Sequence, residues 1–96
     1  MPFFVYILAS RRNGTLYVGR TSDLDRRMTE HRTKAFKEFT ADHDVTKLVH
    51  YEVLDTLGQA WTRERRLKRW RRDWKLDLIE SQDPEWRDLW YNLFNR

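Results

Sequence analysis

Residues 3–9 alternate Phe3, Val5 and Ile7 with Phe4, Tyr6 and Leu8, so both faces of this predicted strand are apolar and it is expected mid-sheet, covered on each side. Leu16-Tyr17-Val18 predicts the return strand after the turn Arg11-Arg12-Asn13-Gly14. Lys47–Leu54, with its β-branched and aromatic residues, predicts a third. The period then shifts from strand to helix. Ser22 is expected to cap a helix from Asp23 to about Thr33, with Asp23 and Asp25 at the positive end of its dipole. Gln59 to about Arg69 and Asp73 to Ser81 predict two more, with Gly58 as a break before the first. Asp83 as N-cap and Pro84 at the first helical position open a last helix, in which Trp86, Leu89, Trp90, Leu93 and Phe94 fall at i, i+3, i+4, i+7 and i+8. The polar segment Lys34–Thr46 reads as loop.

These elements bring particular polar residues together. Strands of an antiparallel hairpin pair so that residue numbers sum to about twice the turn's midpoint; a turn centred near residues 11–13 puts Tyr6 opposite Tyr17 or its neighbour. Two phenols then share one patch of sheet. On the first helix Leu24, Arg27, Met28 and His31 lie at i, i+3, i+4 and i+7, so two polar residues stand in a buried stripe. A guanidinium there can grip a phosphate oxygen; equally, Arg27 can snorkel from the rim while His31 is a hydrogen-bonded packing residue.

The second helix repeats the anomaly. Glu64 falls inside the apolar stripe of Leu57, Ala60, Trp61 and Leu67. A carboxylate there is costly unless a cation answers it, either Arg27 in a structural ion pair or a divalent metal completed by waters and a phosphate. From Arg63 to Lys75 eight basic residues interleave with Trp70 and Trp74 against only Glu64 and Asp73. Such a strip can track a phosphate backbone, with its Arg63, Lys68 and Arg71, and Arg20 after the return strand, as candidate contacts, though a helix of this kind is more often a solvated basic face. Trp74 is expected in the core, and Trp70 is left open between core and stacking surface. His43 and His50 form no metal-ligand pattern.

Composition narrows the choices. The 96 residues are expected to form one domain, 1–96, with one modest core helped by five Trp, five Phe and four Tyr. Cysteine is absent, which excludes disulfides, thiolate metal sites and a cysteine nucleophile. A net charge of +4 favours a polyanionic partner over an acidic-substrate pocket or a basic protein. The apolar start is too short to span a bilayer and lacks a basic n-region, so a cytoplasmic location away from membranes is expected.

With these positions in hand the chain resembles the GIY-YIG nuclease domain, and within it the small stand-alone bacterial UPF0213 branch. Phe4-Val5-Tyr6 stands where Gly-Ile-Tyr is usual and Tyr17-Val18-Gly19 stands for Tyr-Ile-Gly. Arg27 matches the helical arginine, His31 the His or Tyr one turn later, and Glu64 the metal-binding glutamate. The likeness covers nearly the whole chain. It implies an α+β fold, a small central three-stranded antiparallel sheet flanked by helices. It also implies hydrolysis of a DNA phosphodiester with one Mg²⁺ or Mn²⁺ ion on Glu64, Arg27 holding the phosphate, and Tyr6 or Tyr17 deprotonating or orienting the attacking water. An ordinary phenol has a pKa near ~10, so either tyrosine needs cationic neighbours or a hydrogen bond, with Arg20, His31 and the metal as candidate sources.

Phe4 departs from the motif glycine, and Arg20 stands where several relatives carry a lysine able to accept a proton, which an arginine is not. The leading expectation is an endonuclease selective for branched or damaged DNA in repair or recombination, with specificity assisted by a protein partner or a homodimer. Two other readings stand beside it. One is a non-catalytic nucleic-acid-binding module; the other is a protein-interaction domain that would expose Trp86, Trp90 and Phe94.

Overall fold

The computed structural model describes residues 2–33 and 44–94, so the expected loop lies outside the described residues over 34–43. Among the described residues, three strands and four helices follow in the order β1 (Phe3–Ala9), β2 (Leu16–Thr21), α1 (Leu24–Arg32), β3 (Lys47–Leu54), α2 (Leu57–Arg69), α3 (Arg72–Gln82) and α4 (Leu89–Phe94). The sheet is antiparallel with β1 in the middle, in the order β2-β1-β3. That is the place its two apolar faces demand. Val5, Ile7 and Ala9 pack with Val18, Val49 and the Ala60–Leu67 stripe of α2, closed by Ile79 of α3 and by Trp86. Tyr6 and Leu8 face the other way, onto Leu24 and Met28 of α1, Val45, Leu48 and Leu89. A bulge between Ile7 and Leu8 in the β1–β3 ladder lets Val49 join the first core and Leu48 the second.

The hairpin register differs from the expected one. Ser10 and Thr15 close the turn, the Ser10 N–H donating to the Thr15 carbonyl at 3.0 Å, while Asn13 takes a left-handed φ of 57°. Ala9 is thereby set opposite Leu16, Leu8 opposite Tyr17, and Tyr6 opposite Gly19. Tyr6 and Tyr17 are diagonal neighbours on one face, so the phenols still share a patch.

Helix ends moved for identifiable reasons. Asp23, not Ser22, caps α1 by accepting the Arg26 N–H. Helix α2 starts earlier than expected, because Thr56 accepts the Gln59 N–H and the Gln59 side chain accepts the Thr56 N–H. That capping box is written in the sequence as Thr-x-x-Gln, and it overrides Gly58, which sits in the first turn.

The last helix starts six residues after its expected cap. The Asp83 carbonyl accepts the Trp86 N–H and its carboxylate accepts the Arg87 N–H, closing a tight turn with Trp86 at a φ of 57°. This turn seats the Trp86 indole fully in the core with its Nε1–H donated to Glu80. Burying the indole outweighs continuing the helix. The interaction-patch reading therefore loses Trp86; the Phe94 side chain lies outside the described residues.

Candidate active site

The two faces of the sheet meet over β2, the outer strand on this side. There the end of β2 turns into α1, and Phe3, Tyr6, Tyr17, Arg20, Thr21, Ser22, Arg27, Leu57 and Glu64 line a hollow of about 330 Å³. Arg20 points toward α2, on the face opposite the tyrosines, because side chains alternate along β2. As β2 has no outer neighbour among the described residues, groups from both sides reach the same space.

Tyr6 is 1% exposed, its hydroxyl 3.2 Å from His31 Nε2, and its ring centre 6.3 Å from that of Tyr17. Gly19 makes this possible: a Cβ there would stand 2.5 Å from the Tyr6 hydroxyl and 3.0 Å from the Tyr17 ring. Any side chain at this position would push the phenols apart.

Burial, reinforced by Tyr17 and against the pull of Arg27, raises the Tyr6 pKa well above the ordinary phenol value. Burial, helped by the Arg27 cation, lowers the His31 pKa to about 4. His31 is therefore a neutral ring at physiological pH. Of the two roles the sequence left open, a cationic neighbour or a hydrogen-bond partner, a neutral ring fits the second; with its proton on Nδ1 it accepts a hydrogen bond from Tyr6.

Glu64 is 7% exposed and answered by cations, but Arg27 is not its partner. Its Oε1 accepts Arg20 at 2.5 Å and its Oε2 lies 3.1 Å from Lys68 Nζ, one turn along α2. Arg27 instead reaches Glu30 at 3.8 Å, and it also lines a second hollow of about 260 Å³ with Asp23 and Arg26.

Among the described residues no three His, Cys, Asp or Glu side chains cluster. The donor set nevertheless suits a hard divalent ion. A carboxylate offers about four lone-pair positions, so two cationic contacts leave acceptor capacity, and the hollow has space for waters and a phosphate.

The GIY-YIG catalytic domain model matches residues 2–77, most of the chain. The chain belongs to the GIY-YIG family. It is also similar to UPF0213 proteins: 35% identical over 78 residues to one from Haloquadratum walsbyi, covering 81% of this chain and 86% of that one. A second, from Syntrophus aciditrophicus, is 37% identical over 83 residues, with 85% and 93% covered. The solution NMR structure of a UPF0213 protein from Bacillus halodurans superposes with a TM-score of 0.57 at 26% identity, covering 92% of this chain and 93% of that one. The GIY-YIG domain is a nuclease domain, generally dependent on a divalent metal, and the antiparallel α+β fold agrees with it. No helix among the described residues is long and apolar enough to cross a membrane.

Within this GIY-YIG domain the candidate residues divide. Tyr6, Tyr17, Arg20, Arg27 and Glu64 line one hollow, with His31 behind Tyr6 and Lys68 behind Glu64. Arg63 lies elsewhere, forked onto Glu52 at 2.8 and 2.9 Å. Arg71 pairs with exposed Asp73 at 3.2 Å.

Trp74, expected in the core, is 48% exposed, while Trp70, whose role was open, packs against the core. Trp74 stands edge-on to Trp70 with Arg71 over its ring, so an aromatic–cation stack takes the place of burial. Two features escaped the sequence reading. Gly19 was visible only as a motif letter, and Leu57, on the expected buried stripe, is an exposed lip of the hollow.

Proposed function

We propose that the protein is a DNA endonuclease that hydrolyses phosphodiester bonds with one Mg²⁺ or Mn²⁺ ion on Glu64. The observation that carries this reading is the convergence of two phenols, a guanidinium and a nearly buried carboxylate on one open polar hollow. Glu64 would hold the ion, with waters and a substrate oxygen as its other ligands. When bound, such an ion supplies Lewis-acid stabilisation of the departing 3′ oxygen.

The chain's own residues do the rest. Arg27 binds a non-bridging phosphate oxygen and stabilises the charge of the pentacovalent state. A water attacks in line and gives its proton to the phenol pair. The Tyr6 hydroxyl, held by neutral His31 Nε2, orients that water and relays its proton through solvent in the open hollow to the departing 3′ oxygen, so neither a Tyr6 phenolate nor a His31 cation accumulates in a site that disfavours both. Arg20 cannot accept a proton, and its role is to hold Glu64 and add positive charge.

The test is a Mg²⁺/Mn²⁺ cleavage assay on single-stranded, duplex and branched DNA with Glu64→Ala and Tyr6→Phe. Both variants should lose activity with folding intact, and branched DNA should be cut fastest. An unchanged rate in Glu64→Ala would remove the metal assignment.

One observation favours a second reading, a non-catalytic nucleic-acid-binding module: Glu64 is already neutralised by Arg20 and Lys68. Binding that survives chelation, with no cleavage of any DNA form, would select it.

A further inference from the structure

Helix α2 carries more than Glu64. One turn after Leu57, the lip of the hollow, comes Trp61, 46% exposed and part of neither core cluster. Its indole lies under the Arg65 guanidinium, 4.5 Å from the ring centre. Trp61, Thr62, Arg65, Arg66 and Arg69 line a shallow depression of about 190 Å³ with no acidic side chain in its wall. Trp61 precedes Glu64 by three residues, about 4.5 Å along the helix axis.

The charge state of this face differs from that of the hollow beside it. Arg20 and Lys68 are paired with Glu64, Arg63 with Glu52 and Arg71 with Asp73. Among the described residues Arg65, Arg66 and Arg69 make no ion pair. An exposed indole with one guanidinium against its ring and two more unpaired ones in the same depression suits a ligand with a flat π-face and flanking negative charge. A nucleotide has both. In continuous duplex the base faces are covered by their stacking neighbours, whereas an unpaired base offers its face to a side chain.

We propose that Trp61, with Arg65, Arg66 and Arg69, is a subsite for an unpaired nucleobase and its phosphates, beside the scissile phosphate of a strand lying in the hollow. It rests on the DNA-cleaving reading for its position in a substrate path, and it gives that reading a physical source of preference for single-stranded or branched DNA.

The experiment measures binding in chelator, where cleavage plays no part, by fluorescence anisotropy of a labelled single strand, the matching duplex, and a duplex with a single-stranded flap. Trp61→Ala should weaken single-strand and flap binding by roughly tenfold and leave duplex binding within about twofold, while Trp61→Phe retains most of the affinity. Arg65→Gln should lower the salt slope by about 0.7 for the single strand. Thermal midpoints of the variants exclude unfolding as the cause. Equal losses on duplex and single strand, no loss in Trp61→Ala, or lost self-association in place of lost oligonucleotide binding would each overturn the proposal. Should the single-strand loss occur while Mg²⁺ and Mn²⁺ yield no cleavage of any DNA, the nuclease reading falls and the subsite stands.

Discussion

Two carboxylates, Glu52 and Glu64, sit on the same side of the sheet and each meets two nitrogen-bearing partners, yet their surroundings differ in kind. Glu52 is gripped by the Arg63 fork and by His50 Nε2 at 2.8 Å. Burial pushes its pKa up, but the hydrogen bonds from His50 and Arg63 outweigh it and hold the group at about 2. It lines none of the hollows described above. Glu64 is more deeply buried by its own helix, but its partners, Arg20 and Lys68, are long side chains exposed at the rim, and its carboxylate borders the space shared by Tyr6, Tyr17 and Arg27. An ion pair by itself therefore does not mark a site. What separates the two is the open volume beside Glu64 and the convergence of proton and phosphate groups from other elements.

Arg27, which lines the hollow beside Glu64, should show the widest gap between lost cleavage and lost stability. Arg27→Ala is expected to reduce cleavage by about 10²–10³-fold, the usual cost of removing a preorganised donor to developing charge, with little change in stability. Single-turnover rates and urea midpoints check both halves; a loss under about tenfold would move the phosphate contact elsewhere.

Gly19→Ala comes next. A Cβ 2.5 Å from the Tyr6 hydroxyl must displace a buried ring, at about 2 kcal/mol of stability and with the Tyr6–His31 contact broken. Chemical denaturation and cleavage rates should fall together.

Glu52→Gln should cost about 2 kcal/mol in urea unfolding through weakened charge-assisted bonds, with cleavage per folded molecule unchanged. Lost cleavage at full stability would erase the contrast between the carboxylates.

A last expected effect is on pH. His31 holds a pKa of about 4 in the fold against 6.5 when unfolded, so the unfolded chain binds the extra proton between those values. Stability from this group is complete above 6.5 and declines as pH falls toward 4. Glu52 contributes stability above its unfolded value of 4.5 that is lost as pH falls toward 2. In wild-type protein the urea midpoint should decline across both ranges, and in His31→Gln the upper decline should vanish.

Much of this was legible in the sequence wherever periodicity met an anomaly. The two-sided apolar run of β1 dictated a central strand, and Arg27, His31 and Glu64 stood out as polar residues on apolar stripes. Helical spacing, however, says which residues share a face and not whether that face has a partner. Leu57, Trp61 and Trp74 satisfy the same spacing rules as buried residues and remain exposed. Nor does local pattern reveal pairings made by the fold, such as Arg20 on Glu64 or Arg63 on Glu52. The Asp83-Pro84 signal was real as a cap, but it closes a turn because Trp86 gains more from the core than from a helix.

The most direct measurement is Mn²⁺ binding followed by electron paramagnetic resonance in the presence of an oligonucleotide, comparing wild type with Glu64→Gln and Glu52→Gln. Wild type and Glu52→Gln should bind one ion alike, and Glu64→Gln should lose it. Mn²⁺ held equally by Glu64→Gln would contradict the assignment of this hollow as the catalytic centre.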